Sequence, residues 1–220
     1  MSCGELLHPS GIEQLDFAKG DGLIPAIVQH AVTGSVLMLG YMSFQSLHET
    51  LQRRRVVFFS RSKQRLWEKG EESGHTFDFV AARVDCDGDT LLITAHPRGP
   101  ACHLGQATCF GDANITAGER LAFLASLESI IEQRIAAQPN GSYTARLYSE
   151  GPKRLAQKVG EEGVELALAA ATEEDDEVVG EAADLLFHVL LLLKSRGLSL
   201  PRVVTELESR HASKTTSQAR

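Results

Sequence analysis

The sequence predicts two domains: a β-rich α+β domain over residues 1–113, then an all-α helical bundle over residues 114–220. Three observations predict it. Before residue 112 the apolar residues come in short runs broken by turn signals, whereas after it they recur at helical spacing. With 43% hydrophobic residues, 220 residues are enough for two small packed cores. No internal repeat relates the halves, so two different domains stand end to end.

In the first half, Leu23–Val28, Val36–Leu39, Val56–Phe59 and Leu91–Thr94 read as strands, and Ala31–Ser35, with Gly34, as a hairpin turn. Ser43 to Arg54 reads as a helix with Ser43 as its N-cap. Gly111–Asn114 reads as the linker. In the second half, Gly118–Ala137 carries Leu121, Leu124, Leu127, Ile130 and Ile131 at helical spacing. Lys153–Thr172, Asp176–Arg196 and Pro201–His211 read as three further helices, with Pro201 suited to a first turn. The tail, Ala212–Arg220, is polar and reads as disordered.

Bulk properties exclude some functions. There are 29 acidic and 22 basic residues, a net charge of -7, which argues against a general nucleic-acid binder. The N-terminus has neither a basic start nor an apolar core, so no signal peptide is expected. The longest apolar run, Leu185–Leu193, is interrupted by His188 and is too short to span a bilayer. A cytoplasmic, reducing setting follows, in which four cysteines read as metal ligands or free thiols. Cys3 stands apart and reads as incidental.

Two clusters carry the chemistry. In the first domain, Asp85-Cys86-Asp87-Gly88-Asp89 is followed by Cys102-His103 and Cys109. Thiolates select zinc or another soft ion, and carboxylates select magnesium-like ions. Three protein ligands on zinc leave a fourth position for water, as in catalytic sites. An EF-hand reading of Asp85, Asp87 and Asp89 fails, because Thr90 and His96 fall where that loop needs Gly and Glu. Upstream, Ser60, Arg61, Ser62, Trp67, Lys69, Ser73 and Gly74 supply hydroxyls, cations and glycine amides that suit a phosphate ligand. A charged hairpin would look similar, and the chain has no Walker A loop.

In the second domain, Glu162 and Glu165 are three residues apart, as are Glu181 and Asp184, so each pair shares a helix face. Apolar residues flank both pairs. Carboxylates crowded together persist only when protonated or neutralised by cations, and magnesium suits an oxygen cage facing a triphosphate.

These residues resemble two known families. Gly22–Gln29, Met38–Met42, Ser60–Gly70, Asp85–Asp89 and Gly99–Phe110 are similar to phosphoribosyl-AMP cyclohydrolase over about residues 11 to 111. That resemblance implies an intertwined homodimer in which Cys86 of one chain meets Cys102 and Cys109 of the other around zinc. It also implies magnesium at Asp85, Asp87 and Asp89. The family pattern has Asn after Gly74 where this chain has His75, and no role is carried onto it. Opening an adenine ring needs water to add at C6, the carbon that zinc deaminases attack. His103, beside a ligand, is placed to move the proton as acid or base.

The second segment, from about residue 119 to 211, resembles phosphoribosyl-ATP pyrophosphohydrolase. Tyr148, Gly151, Arg154–Glu162, Glu181–Leu185 and Arg210-His211 carry the likeness. It implies a dimeric helical bundle with magnesium on Glu162, Glu165, Glu181 and Asp184, and Glu161 orienting water. Lys153, Arg154 and Lys158 become the expected phosphate contacts. The family has Ala after Glu162, and Gly163 here costs the helix under about 1 kcal/mol. Together the two resemblances imply the second and third steps of histidine biosynthesis. Two alternatives stand beside them: a housekeeping nucleoside-triphosphate pyrophosphohydrolase in the second domain, or an inactive zinc-dependent binding protein.

Overall fold

A computed structural model describes Gly4 and residues 6–111, 117–172 and 174–218. Cys3 and residues 112–114 of the expected linker lie outside the described residues. The chain divides into two compact units, one ending at Phe123 and the other starting at Leu124.

The first unit is built around β1 (Leu23–His30), β2 (Val36–Ser43), α1 (Phe44–Arg53), β3 (Val57–Ser60), β4 (Arg65–Glu68), β5 (Phe77–Val84) and β6 (Leu91–Pro97). Strands β2-β1-β6-β5 form one mixed sheet in that order, and β3 and β4 form a separate antiparallel hairpin. Every strand read from the sequence is present. β1 runs antiparallel to β2 and parallel to β6, with Ala26 opposite Leu91. Its even-numbered residues Ile24, Ala26 and Val28 are at most 1% exposed, which fixes the register. Ser43 caps α1 as expected, in a reciprocal box with Ser46.

Two strands were not legible. β5 buries Phe77 and Phe79, then Ala82 and Val84. A bulge between Phe79 and Ala81 switches the inward parity, so no single alternation runs through it. β4 is polar at both ends and only half-buried between.

Phe58 is fully buried and stacks on Trp67 with ring centres 5.7 Å apart. A Cβ on Gly40 of β2 would sit 2.4 Å from that phenyl ring. Gly40→Ala is therefore expected to cost about 1–3 kcal/mol through overpacking. A lower urea midpoint for the first unit would show it, and an unchanged midpoint would mean that the ring moves freely aside.

A short α2 (Ala117–Leu121) closes the first unit; the second is helical, with α3 (Phe123–Ala137), α4 (Tyr143–Ser149), α5 (Pro152–Thr172), α6 (Asp175–Ser195) and α7 (Leu200–Gln218). The single helix expected over 118–137 is two, broken at Ala122. α4 was not expected; Ser142 caps it, and Thr144 and Leu147 are its buried residues. α5 and α6, each 21 residues long, pack against one another. Ile131, Leu147, Leu155, Leu190 and Leu191 form the core. The expected disordered tail is corrected: α7 continues to Gln218, since neither Gly nor Pro follows Pro201 to stop it. Its first turn is tied to α3 where the Leu200 N–H donates to Glu128 at 2.8 Å.

Candidate active sites

In the first unit, the hairpin β3–β4 and the loop after β6 wall a cleft of about 620 Å³. Of the expected phosphate-binding residues, Ser60, Trp67, Lys69 and Ser73 line it. Arg61 instead covers the Tyr41 ring at 3.7 Å, Ser62 stands 3.4 Å from the Ser60 hydroxyl, and Gly74 turns the chain at φ +75°. Two other cations of this hairpin are paired, Lys63 with Glu72 at 3.5 Å and Arg65 with Glu71.

Cys102, His103 and Cys109 also line the cleft. The Cys102 sulfur is 4.0 Å from His103 Nδ1 and accepts from the Leu104 N–H at 3.5 Å. Cys109 is exposed as a residue, yet the protein around its sulfur, and then the neighbouring Cys102, push its thiol above the ordinary value. A pair of neighbouring sulfurs, one of them a thiol held above its ordinary pKa, fits a site completed by a cation. Lys69 is 7% exposed, its amine 5.0 Å above the Phe77 ring. Burial lowers its pKa, against the pull of the Cys109 and Cys102 sulfurs.

His75 also lines the cleft, and its ring fills the place that a Cβ on Gly99 would occupy, 2.6 Å away. Sequence reasoning left that residue without a role; its setting makes it part of the wall.

Cys86 is not in this cleft. It is exposed, 3.9 Å from an Asp87 oxygen, beside a shallow depression with Gln14 and Leu15. The three sulfurs do not converge within one chain. The neighbouring Asp85, Asp87 and Asp89 do, with one oxygen from each within 4.8 Å of the others. Asp85 Oδ1 accepts the backbone N–H groups of Gly88, Asp89 and Thr90 at 3.0–3.1 Å, which shapes the loop. Sequence reasoning missed Lys19, whose ammonium bridges Asp87 at 2.7 Å and Asp89 at 3.0 Å. Its hydrogen bonds lower both carboxyl pKa values. A cation already seated on these oxygens fits a divalent-ion site by the chemistry of its donors.

In the second unit, Glu162, Glu165 and Glu181 each bring an oxygen within 4.8 Å of the others. Asp184 does not join them and is exposed on α6. Glu162 is 5% exposed and takes the Lys158 ammonium at 2.6 Å. Loss of water around its carboxyl, then the charges of Glu162 and Glu181, raise the Glu165 pKa. Such crowding fits a cation. Glu161 is held by Gln157 at 2.8 Å, Lys158 at 3.1 Å and Arg154 at 3.3 Å, and Lys158 above all lowers its pKa. Arg154 and Lys158 thus spend their charge on acids, whereas Lys153 is exposed.

Comparison with known proteins agrees with this division. Residues 38–111 match the family model for phosphoribosyl-AMP cyclohydrolase, and residues 124–211 match that for phosphoribosyl-ATP pyrophosphohydrolase. The histidine biosynthesis bifunctional protein HisIE of Salmonella typhimurium is 54% identical over 198 residues, 90% of this chain and 96% of that protein. The protein of the same name from Escherichia coli shares 54% over the same extent. That from Xanthomonas axonopodis pv. citri shares 51% over 211 residues, 96% of this chain and all of the relative. With identity of this order spread over both units, the chain belongs to the bifunctional histidine-biosynthesis family that joins a phosphoribosyl-AMP cyclohydrolase to a phosphoribosyl-ATP pyrophosphohydrolase.

Proposed function

We propose that the chain catalyses two consecutive hydrolyses in histidine biosynthesis. The second unit cleaves phosphoribosyl-ATP between its α and β phosphates, giving phosphoribosyl-AMP and pyrophosphate. The first unit then opens the adenine ring of phosphoribosyl-AMP. The observation that carries this reading is that each family-matched segment contains its own donor set: a thiol pair in a nucleotide-sized cleft, and a partly buried carboxylate trio.

Cys102 and Cys109 hold zinc together with Cys86 of a second chain. Asp85, Asp87 and Asp89 hold magnesium, as do Glu162, Glu165 and Glu181, with Asp184 turning in to join them. When bound, zinc supplies a Lewis acid that makes water reactive at neutral pH, and magnesium neutralises phosphate oxygens. In the cleft, Ser60, Lys69 and Ser73 bind phosphate, and Trp67, braced on Phe58, gives the purine a rigid wall. Water oxygen adds at C6, the N1–C6 bond breaks, and N1 takes a proton delivered through His103. In the second unit, Glu161 orients the attacking water, and Lys153, Arg154 and Lys158 face the phosphates.

A homodimer completes both units. Val164 and Leu168 lie one turn apart on α5, 60% and 59% exposed, and Val179 and Leu186 on α6 are 67% and 48% exposed. Apolar stripes of this kind are covered by a second copy in a dimeric bundle. Among the described residues no helix is long and apolar enough to cross a membrane. Among the described residues, Cys86, Cys102 and Cys109 are free thiols, which suits the reducing cytoplasm.

The test is an assay with phosphoribosyl-ATP, zinc and magnesium in which pyrophosphate and ring opening are followed separately. Both signals support the reading. Cleavage of deoxynucleoside triphosphates in preference to phosphoribosyl-ATP would favour a housekeeping role instead.

The raised Glu165 pKa has a consequence for stability. Because the folded value lies above the ordinary 4.5, its contribution is fully present below pH 4.5 and is lost as pH rises through the folded value. At neutral pH, Glu165→Gln is therefore expected to raise the melting temperature of the metal-free second unit and to reduce the further rise on adding magnesium. A lower metal-free melting temperature would contradict the repulsion.

A further inference from the structure

A polar chain runs from the half-exposed Tyr143 through the buried His188 to the buried Glu162 of the acidic cluster. His188, one turn after Asp184 on α6, is 4% exposed. Its Nδ1 is 2.9 Å from the Asp184 carbonyl oxygen, and its Nε2 is 3.0 Å from the Tyr143 hydroxyl of α4. A carbonyl only accepts, so Nδ1 carries the proton, and Nε2 is left to accept from the Tyr143 O–H. The same Nδ1 edge faces Glu162 Oε1 at 3.6 Å, the oxygen that Lys158 holds at 2.6 Å. Phe187 packs edge-on against the imidazole, with ring centres 5.3 Å apart. Both nitrogens are committed and the ring is shut away from water. It is therefore placed to brace a neighbour rather than to exchange protons with substrate.

We infer that His188 and Tyr143 are positioning residues for the pyrophosphohydrolase site. Tyr143 fixes the tautomer and tilt of His188. His188 in turn keeps its N–H edge against the Asp184 backbone and Glu162, so that the buried carboxylate stays directed at Glu165 and Glu181. The inference rests on reading those carboxylates as a metal site. The sequence carries a trace of it, because His188 is the polar residue that breaks the apolar run Leu185–Leu193.

The test is direct binding of Mn²⁺ to the full chain, read from loss of the free-ion electron paramagnetic resonance signal. Glu162→Gln identifies which binding phase belongs to α5 and α6. In that phase, His188→Leu and Tyr143→Phe are expected to weaken binding by about 10–100-fold, as for other partners of metal ligands. His188→Asn, which restores an N–H donor at the Nδ1 position, recovers most of the loss. Tyr143→Phe removes only a hydroxyl, so the result stands even where His188→Leu fails to fold. A second readout is the ¹⁵N spectrum of the histidine side chains, in which Tyr143→Phe shifts the His188 Nε2 signal and leaves the Nδ1 proton in place. Wild-type affinity in that phase for both Tyr143→Phe and His188→Leu would make His188 an ordinary satisfied core residue and overturn the inference alone. A Glu162→Gln protein that binds Mn²⁺ like wild type would overturn the metal-site reading and the inference with it.

Discussion

Glu162→Gln is expected to reduce pyrophosphate release from phosphoribosyl-ATP by about 10³-fold, while ring opening of supplied phosphoribosyl-AMP continues at the wild-type rate. Glu162 is the buried member of its cluster and the one that holds Lys158 most closely. The amide keeps the shape but removes the charge. Lys158 is then left to Glu161 alone, and a bound cation loses its most desolvated oxygen. Several kcal/mol of charge stabilisation, at about 1.4 kcal/mol per tenfold in rate, gives the stated loss. The measurement is a pair of steady-state assays on one preparation, one for each substrate. Loss of both activities would mean that the variant damages the whole chain. Retention of both would remove the cluster from catalysis. Asp184→Asn is the informative companion. Asp184 lies outside the cluster and exposed, so a comparable loss there would mean that its side chain turns inward when the site is loaded.

The parts that were legible in the sequence are those carried by local pattern. Ser43 as a helix cap follows from a hydroxyl immediately before an amphipathic run, and it caps α1. The spacing of three residues anticipated that Glu162, Glu165 and Glu181 would meet, but it also placed Asp184 on the same face, and Asp184 stays outside the group. What escaped depends on long-range placement. The parity switch in β5 is set by its pairing with β6 and leaves no single period to read. Lys19 reaches Asp87 and Asp89 from 68 and 70 residues away, through a 3₁₀ turn that no motif announces. Tyr143 meets His188 across 45 residues. The ion pairs Lys63–Glu72 and Arg65–Glu71 were hidden for a different reason: the charges were visible, but not which cations the folded hairpin would neutralise.

Cys86→Ala and Cys102→Ala are each expected to abolish zinc binding and ring opening when expressed alone, and to restore part of both when mixed. The single chain leaves Cys86 exposed beside its aspartates while Cys102 and Cys109 line a cleft that Cys86 does not enter. If zinc is shared across a two-fold dimer, each site draws Cys86 from one chain and the other two thiols from its partner. A dimer of one Cys86→Ala chain with one Cys102→Ala chain then has one site with all three sulfurs and one with neither mutated sulfur. Random mixing makes about half of the dimers of this kind, so about a quarter of the wild-type sites return. The measurements are zinc per chain after co-expression or refolding together, and ring opening of phosphoribosyl-AMP in the same sample. A site built within one chain predicts no recovery, because every chain in the mixture lacks one of its own sulfurs. Pyrophosphate release is expected to be unchanged throughout, since no cysteine occurs in the second unit. Recovery near a quarter therefore reports the shared site itself, whereas zero recovery with pyrophosphate release intact would confine the thiol chemistry to a single chain.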